Sequence, residues 1–420
     1  MRRIVTLVAV ALLCLSASAQ KKIFIPEDLR GIDLQADTSR WSFARSIQTD
    51  DLIFMWERGF DKQPHDGIVS GPDLDGKPMC FNLENLRDRV QAFYHFFRDT
   101  LEFAKPGSKC DRYKMMVMVM YSLEGTAYGG TYDDFIGALW VAPNRIQDEK
   151  MNCMAHELGH SFQLQIPADS VGDAWGGSGF FEMTSQWMLW QVNPDWLTDE
   201  NYHFEAFKKL THKAYLHLDN IYHSPYVIQW WSDLHGRKSI AELYRQGRKG
   251  EDPVMTYKRM FGLTQSEFCD EMFRGYQHLV NFDFSHARKE TRRYACTFDT
   301  PLTGDSDGWY APQTGLEEYG FHAMKLDGMV DLHSASFSLR LRGDNLRYGF
   351  VGITESGESI YSKINATTFD VPKSQRLHHL YLIVMGAPMS HYQIPMPTEK
   401  DPDPKADLKT FPYKFRVSAK

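Results

Sequence analysis

The five residues His156-Glu157-Leu158-Gly159-His160 place two imidazoles and a carboxylate at a spacing suited to metal chemistry. Side chains four apart on a helix share one face, about 5.4 Å apart along the axis, so both rings can converge on one zinc ion at about 2.0 to 2.1 Å. Glu157 follows the first histidine and points beside the metal, where it can take a proton from water without being a ligand. Zinc lowers the pKa of its water to about 7, so a neighbouring carboxylate acting as general base can help generate hydroxide at neutral pH. The pattern predicts Zn2+ as cofactor and hydrolysis as the reaction.

A catalytic zinc takes three protein ligands and keeps one position open. In the extended pattern with a third histidine, that residue would stand at 166, with glycine at 163; the chain has Ile166 and Gln163, which excludes that branch. The other solution takes a carboxylate from the next helix. Glu182 lies 22 residues beyond His160 and is the lone acid of the apolar stretch Gly179-Phe180-Phe181-Glu182-Met183-Thr184-Ser185-Gln186-Trp187. An unpaired buried carboxylate is costly, and coordination would offset that cost. A capping or surface glutamate at a helix start is the alternative reading. Glu200 is a poorer candidate because it belongs to the polar stretch Asp195 to Asn201, and Asp173 sits in a glycine-rich loop as a turn residue or cap.

The helix carrying the motif is predicted from Asp148 to about Leu164, with Met151, Met154, Ala155, Leu158 and Phe162 recurring at helical spacing and Pro167 as the stop. Gly172 through Gly179 form a loop before a second helix, Phe180 to Val192, which Pro194 ends. Upstream, Ser42 to Ile47 and Leu52 to Trp56 read as short strands. Asn82 opens an amphipathic helix through Leu101, and Tyr113 to Tyr121 is a strand buried on both faces with its methionines as core filling. Gly129-Gly130-Thr131 is read as a turn before the strand Ile136 to Val141. Further helices follow at Tyr226 to His235, Ser239 to Gln246 and Ser266 to Leu279. From about Cys296 short β-rich stretches replace helices, among them Phe337 to Leu341, Tyr348 to Ile353, Leu380 to Val384 and Tyr413 to Val417. Pro395 to Lys409 reads as an exposed loop. The expectation is an α+β protein, with a catalytic domain over residues 20–297, zincin-like by the resemblance that the motifs carry, and a β-sandwich domain over residues 298–420.

Met1-Arg2-Arg3, an apolar run from Ile4 to Leu15 and Ala17-Ser18-Ala19 read as a signal peptide over residues 1–19, which makes the product secreted or periplasmic. That run is shorter than the roughly 20 residues a membrane helix needs, and no later segment looks like a span. A net charge of −7 without a basic block argues against nucleic acid as partner. Cys80, Cys110, Cys153, Cys269 and Cys296 remain beyond the signal peptide, an odd number without CxxC spacing. Thiolate-bound zinc is therefore not expected and two disulfides are the maximum; Cys153 reads as a buried free thiol.

The motif helix and the downstream Glu182-x-x-Ser185-x-Trp187 helix resemble the gluzincin branch of zinc metallopeptidases. The chain is more specifically similar to a family of secreted bacterial gluzincin-like proteins with a trailing β domain. The matching stretches are Leu52 to Glu57, Ile136 to Pro143, Ala155 to Gln163, Phe181 to Trp187 and Phe411-Pro412-Tyr413. The resemblance implies His156, His160 and Glu182 as zinc ligands, Glu157 as the base, and the strand Gly137 to Val141 as a partner for an extended peptide. It also implies an oxyanion donor beyond the third ligand, for which Tyr226 in Tyr222-His223-Ser224-Pro225-Tyr226 is the candidate, with aromatic packing as its other reading. Gln186, one turn after Glu182, is placed to support that ligand. His160-Ser161-Phe162-Gln163 is similar to the motif of mucin-directed peptidases and points to glycoproteins. The expected substrate is thus a peptide or glycoprotein.

A non-catalytic glycan- or peptide-binding protein on a zincin scaffold is the alternative, disfavoured by the presence of both histidines and both glutamates. A glycoside hydrolase built on two carboxylates is a third, and no pair of acids stands out for it.

Overall fold

The computed structural model describes residues 20–175, 179–397, 400–401 and 404–420, so the signal-peptide reading lies outside the described residues. The chain is mixed helix and sheet. Its first sheet collects β1 (Ser46–Gln48), β2 (Leu52–Trp56), β5 (Met115–Val119), β6 (Ala127–Tyr132) and β7 (Ile136–Val141) in the order β1-β2-β5-β7-β6, while β3 (Ile68–Leu74) and β4 (Lys77–Asn82) form a separate hairpin. The strands β2, β5 and β7 run parallel, and β1 and β6 run antiparallel at the two edges. All five residues of β5 are buried, as a central strand covered on both faces requires.

Two sequence expectations change here. Gly129-Gly130-Thr131 is not a turn but the middle of β6; the chain reverses at Asp133 and Asp134, both with positive φ near 50°. In consequence β7 has β5 on one side and β6 on the other, so the strand Gly137 to Val141 has no free edge for a substrate. The open edge belongs to β6. Gly129 misleads a propensity reading because helix packing, rather than turn geometry, requires it, as shown below.

The helices are α1 (Leu83–His95), α2 (Asn152–Ala168), α3 (Gly179–Val192), α4 (Trp196–Asp199), α5 (Asn201–Leu210), α6 (Tyr226–His235), α7 (Lys238–Gln246), α8 (Pro253–Phe261), α9 (Gln265–Leu279) and α10 (Arg288–Thr291). Asn82 caps α1, its side chain accepting the Asn85 N–H at 2.9 Å, and the chain continues past His95 as a π-helical turn, Phe96–Thr100. Thr264 and Glu267 form a capping box on α9. Pro167 falls inside the last turn of α2 rather than beyond its end. Residues Ser42 to Ile47 are a short 3-10 turn followed by the start of β1.

The later strands, β8 (Leu302–Gly304), β9 (Tyr310–Pro312), β10 (Phe321–Lys325), β11 (Ser336–Arg342), β12 (Leu346–Thr354), β13 (Ser359–Tyr361), β14 (Thr368–Asp370), β15 (Leu377–Gly386) and β16 (Lys414–Ala419), build two antiparallel sheets. Their orders are β10-β15-β12-β13 and β14-β11-β16-β9-β8. In β15, Leu380, Leu382 and Val384 join a core shared with Phe337, Phe369 and Phe415 of the five-stranded sheet. The alternate residues Tyr381, Ile383 and Met385 join the core of the helical part. Tyr276 of α9 stacks on Phe321 at 4.1 Å and donates to the Tyr319 carbonyl at 2.7 Å. Both faces of the four-stranded sheet are therefore covered, which explains the unbroken apolar run Leu380 to Met385.

Candidate metal centre

Three contacts seat α2 against the first sheet. Ser161 donates from Oγ to the Ala138 carbonyl at 2.8 Å, the Gly137 N–H donates to Gln165 Oε1 at 2.9 Å, and the Gly129 N–H donates to Glu157 Oε2 at 2.7 Å. A Cβ on Gly129 would lie 1.7 Å from the Glu157 carbonyl oxygen, so only glycine lets β6 approach this closely. The crossing of α2 and α3 is equally tight. A Cβ on Gly159 would lie 2.5 Å from Ser185 Oγ, and Ser185 hydrogen-bonds the His156 carbonyl. That crossing brings Glu182, in the first turn of α3, over the two histidines.

His156 Nε2, His160 Nε2 and Glu182 Oε2 form a triangle with all three sides 3.1 Å. Burial works against ionisation of Glu182, but hydrogen bonds from His156 and His160 more than offset it and hold the carboxyl far below its ordinary range. With Glu182 ionised, no placement of protons on the two Nε2 atoms satisfies all three sides. Two N–H groups face each other, or a bare ring nitrogen faces the carboxylate. Three lone pairs around one point suit a shared cation instead. Ligands at about 2.0 to 2.1 Å in a tetrahedral arrangement are about 3.3 Å apart, close to the spacing here, and the donor set of two imidazoles and a carboxylate is one that zinc accepts. These three are the grouping of metal-type side chains found among the described residues.

The supporting contacts are specific. His160 Nδ1 is 3.1 Å from Gln163 Oε1, and Gln163 Nε2 donates to the Phe181 carbonyl at 3.0 Å, which fixes the ring with Nε2 toward the triangle. Phe181 stacks on His160 at 4.2 Å. Gln186 donates to the Tyr222 carbonyl at 3.1 Å and lies 3.2 Å from His203 Nε2, so it braces the cleft wall rather than Glu182.

A cleft of about 250 Å³ opens beside the triangle, lined by His156, Glu157, Gln186, Glu200, His203 and Tyr222 among others. Burial pushes the Glu157 carboxyl up to about 7, against the opposing pull of His156 and the Gly129 N–H. Tyr222, its ring 6.3 Å from that of His156, has its phenol pushed up to about 12 by burial and by Glu182, so it stays protonated and a donor. Cys153 lines the same cleft and is half-buried rather than buried, its thiol pushed up to about 12 by burial. Among the described residues all five cysteines are free thiols.

Tyr226 is elsewhere. Its ring packs among Trp190, Phe207 and Phe282, and its hydroxyl is buried without a hydrogen-bond partner among the described residues. The cleft is lined instead by Tyr222, four residues earlier, and by Tyr202. Tyr226 belongs to the apolar face of α6 and so to the core; Tyr222 lies in the loop before it, 44% exposed. Glu200 also lines the cleft although its polar neighbours suggested a surface loop. Trp196 and Asn152 draw it in, donating to its two oxygens at 2.9 and 3.1 Å.

This is an α+β protein with a two-histidine, one-glutamate cluster beside a cleft at the edge of its first sheet. The chain belongs to a family of unknown function, DUF6055, whose model matches residues 15–420. No curated protein matches it. Among solved structures it is similar to the ZmpB metallopeptidase from Clostridium perfringens, at 12% identity and TM-score 0.31, covering 82% of this chain and 67% of that one. It is also similar to the catalytic module of the metalloprotease ZmpA from the same organism, at 8% identity and TM-score 0.28, covering 80% and 64%. At that level of superposition the chemistry has to be argued from this chain's own side chains. No helix among the described residues is long and apolar enough to cross a membrane.

Proposed function

We propose that this protein is an exported zinc metallopeptidase. In this reading a zincin-like catalytic unit spans residues 20–297, a β-sandwich unit spans residues 298–420, and the substrate is a peptide bond of a protein or glycoprotein. The observation that carries the reading is the 3.1 Å triangle of His156, His160 and Glu182 with Glu157 beside it in an open cleft. Zinc held by those three residues supplies a Lewis acid that polarises a carbonyl and makes water nucleophilic near neutral pH.

The remaining steps belong to the chain. Glu157 has Oε2 fixed by the Gly129 N–H, which leaves its other oxygen to take a proton from water and pass it to the leaving amine. Tyr222 donates its hydroxyl to the oxygen that gains charge as the carbonyl is attacked, the role that the resemblance gave to Tyr226. The open edge of β6, whose Ala127 lines the cleft, pairs with an extended peptide and presents its bond to Glu157. Residues 1–19 serve as the signal peptide for secretion or for the periplasm.

The test is to incubate the purified protein with a mixed set of peptides and glycoproteins and read cleavage by mass spectrometry, beside Glu157→Gln and chelator-treated samples. Cleavage by the wild type alone is expected. One equivalent of zinc without cleavage of any substrate would point to the binding-protein alternative, and absence of zinc would remove the metal site.

A further inference from the structure

We propose that the cleft beside the metal cluster is a subsite for a basic side chain of the substrate, lysine or arginine, with Glu200 at its end as the residue that selects it. This rests on the peptidase reading above and names the substrate preference of that same site.

The shape and chemistry of the walls carry the inference. The cleft is largely polar, but Ala127, Cys153 and Leu189 place apolar surface in its wall, and Tyr202 and Tyr222 add ring surface. Such walls suit the methylene stem of a long cationic side chain, whose charged head needs a separate partner. Glu200 provides it. Each of its oxygens accepts one hydrogen bond from a neutral group, the Trp196 indole N–H and the Asn152 amide, which leaves half of the carboxylate's acceptor capacity unused. Asn152 is itself positioned by Asn193, whose amide donates to it at 2.8 Å, so Glu200 sits in a fixed cradle.

No lysine or arginine among the described residues forms an ion pair with Glu200; His203 lies 3.6 Å away, and burial pushes the Glu200 carboxyl up against the pull of His156, so a cation seated beside it would restore its charge. Burial and the adjacent His223 depress His203 to about 4, so it is neutral and does not balance the charge. Arg145 also lines the cleft, exposed and with its Nε bound to the Gly125 carbonyl, and its pull falls on Glu157, Cys153 and Tyr202 rather than on Glu200. A second observation concerns Gln186, which lines the same cleft and is only 4% exposed. Its Oε1 is buried with no hydrogen-bond partner among the described residues. Unused acceptors and an unbalanced carboxylate call for a ligand rich in donors and positively charged. Ammonium brings three N–H groups and guanidinium five. An acidic side chain would meet both Glu200 and Glu157, and an uncharged one would leave the carboxylate unbalanced.

The experiment uses zinc-loaded Glu157→Gln protein and hexapeptide amides carrying lysine, arginine, norleucine or glutamate at each position in turn, with binding measured by calorimetry. In parallel, wild-type protein is given the same peptides and cleavage is read by mass spectrometry. At one position, lysine or arginine is expected to bind at least tenfold tighter than norleucine, and Glu200→Gln is expected to reduce that ratio to below twofold. Equal binding of lysine and norleucine peptides at every position overturns the proposal without needing the Glu200 variant to fold. Cleavage without basic preference sinks the subsite and leaves the peptidase standing. Basic preference in binding with no wild-type cleavage leaves the subsite standing and removes the peptidase.

Discussion

Gly129 meets Glu157 twice: its N–H donates to the carboxylate at 2.7 Å, and its missing side chain makes room for the backbone carbonyl, 1.7 Å from where a Cβ would stand. One glycine thus sets both the distance between β6 and α2 and the orientation of the proposed base. Gly129→Ala must push strand and helix apart. A loss of at least about 2 kcal/mol is expected from the steric conflict, and a shift of about 1 Å at the base costs on the order of 100-fold in kcat. Gly130→Ala is the control, because its nearest Cβ neighbour would be Trp140 at an ordinary 3.6 Å. Thermal midpoints and kcat of the two variants decide the matter; equal behaviour would refute the packing argument.

Gln163 links His160 Nδ1 to the Phe181 carbonyl and so holds the Nε2 lone pair toward the triangle. Gln163→Leu keeps the volume and removes both hydrogen bonds. Zinc affinity, measured by competition with a chromogenic chelator, is expected to fall about 10- to 100-fold, while His160→Ala should abolish stoichiometric zinc. Unchanged affinity in Gln163→Leu would show that the contact does not orient the ring.

Much of this site was legible in the sequence because its chemistry is local. The spacing of His156 and His160 on one helix turn is a matter of helix geometry, and Glu182 stood out as an acid among apolar residues. What the sequence hid depends on contacts between distant segments. Gly129 and Gly130 carry a turn signature, yet they lie in a strand, and at Gly129 it is the close approach of α2 that calls for glycine. Glu200 sits in a polar stretch, yet Trp196 and Asn152 turn its carboxylate inward. The change from helices to strands after about Cys296 was likewise legible, but not the fact that the four-stranded sheet is packed on both sides, with one face in the core of the helical part.

Tyr222 and Tyr226 separate a chemical role from a packing role. Tyr222→Phe removes a donor from the cleft and is expected to lower kcat by about 100-fold or more with zinc retained. Tyr226→Phe removes a buried hydroxyl that has no partner among the described residues, so activity should persist and the thermal midpoint should hold or rise, by up to about 1 kcal/mol of stability. Peptide turnover, zinc content and thermal melts of both variants check this. Loss of activity in Tyr226→Phe with Tyr222→Phe unaffected would reverse the assignment.

His322 gives the fold an acid-sensitive point far from the proposed chemistry. It is buried between Tyr413 and Thr314, with a ring nitrogen 3.0 Å from each hydroxyl, and faces the His212 ring at 6.4 Å. Burial, aided by repulsion from His212, lowers it from 6.5 to about 3. The unfolded chain therefore takes up this proton first as pH falls. The stabilising contribution is complete above about pH 6.5 and drains away toward pH 3, at up to about 1.4 kcal/mol per pH unit and on the order of 5 kcal/mol in all. His322→Gln can hydrogen-bond to both hydroxyls and does not titrate. Between pH 7 and pH 4.5 its thermal midpoint is expected to fall by several degrees less than that of the wild type. An equal fall in both proteins would mean that His322 takes up its proton without loss in the folded state, and that the acid sensitivity lies in other groups.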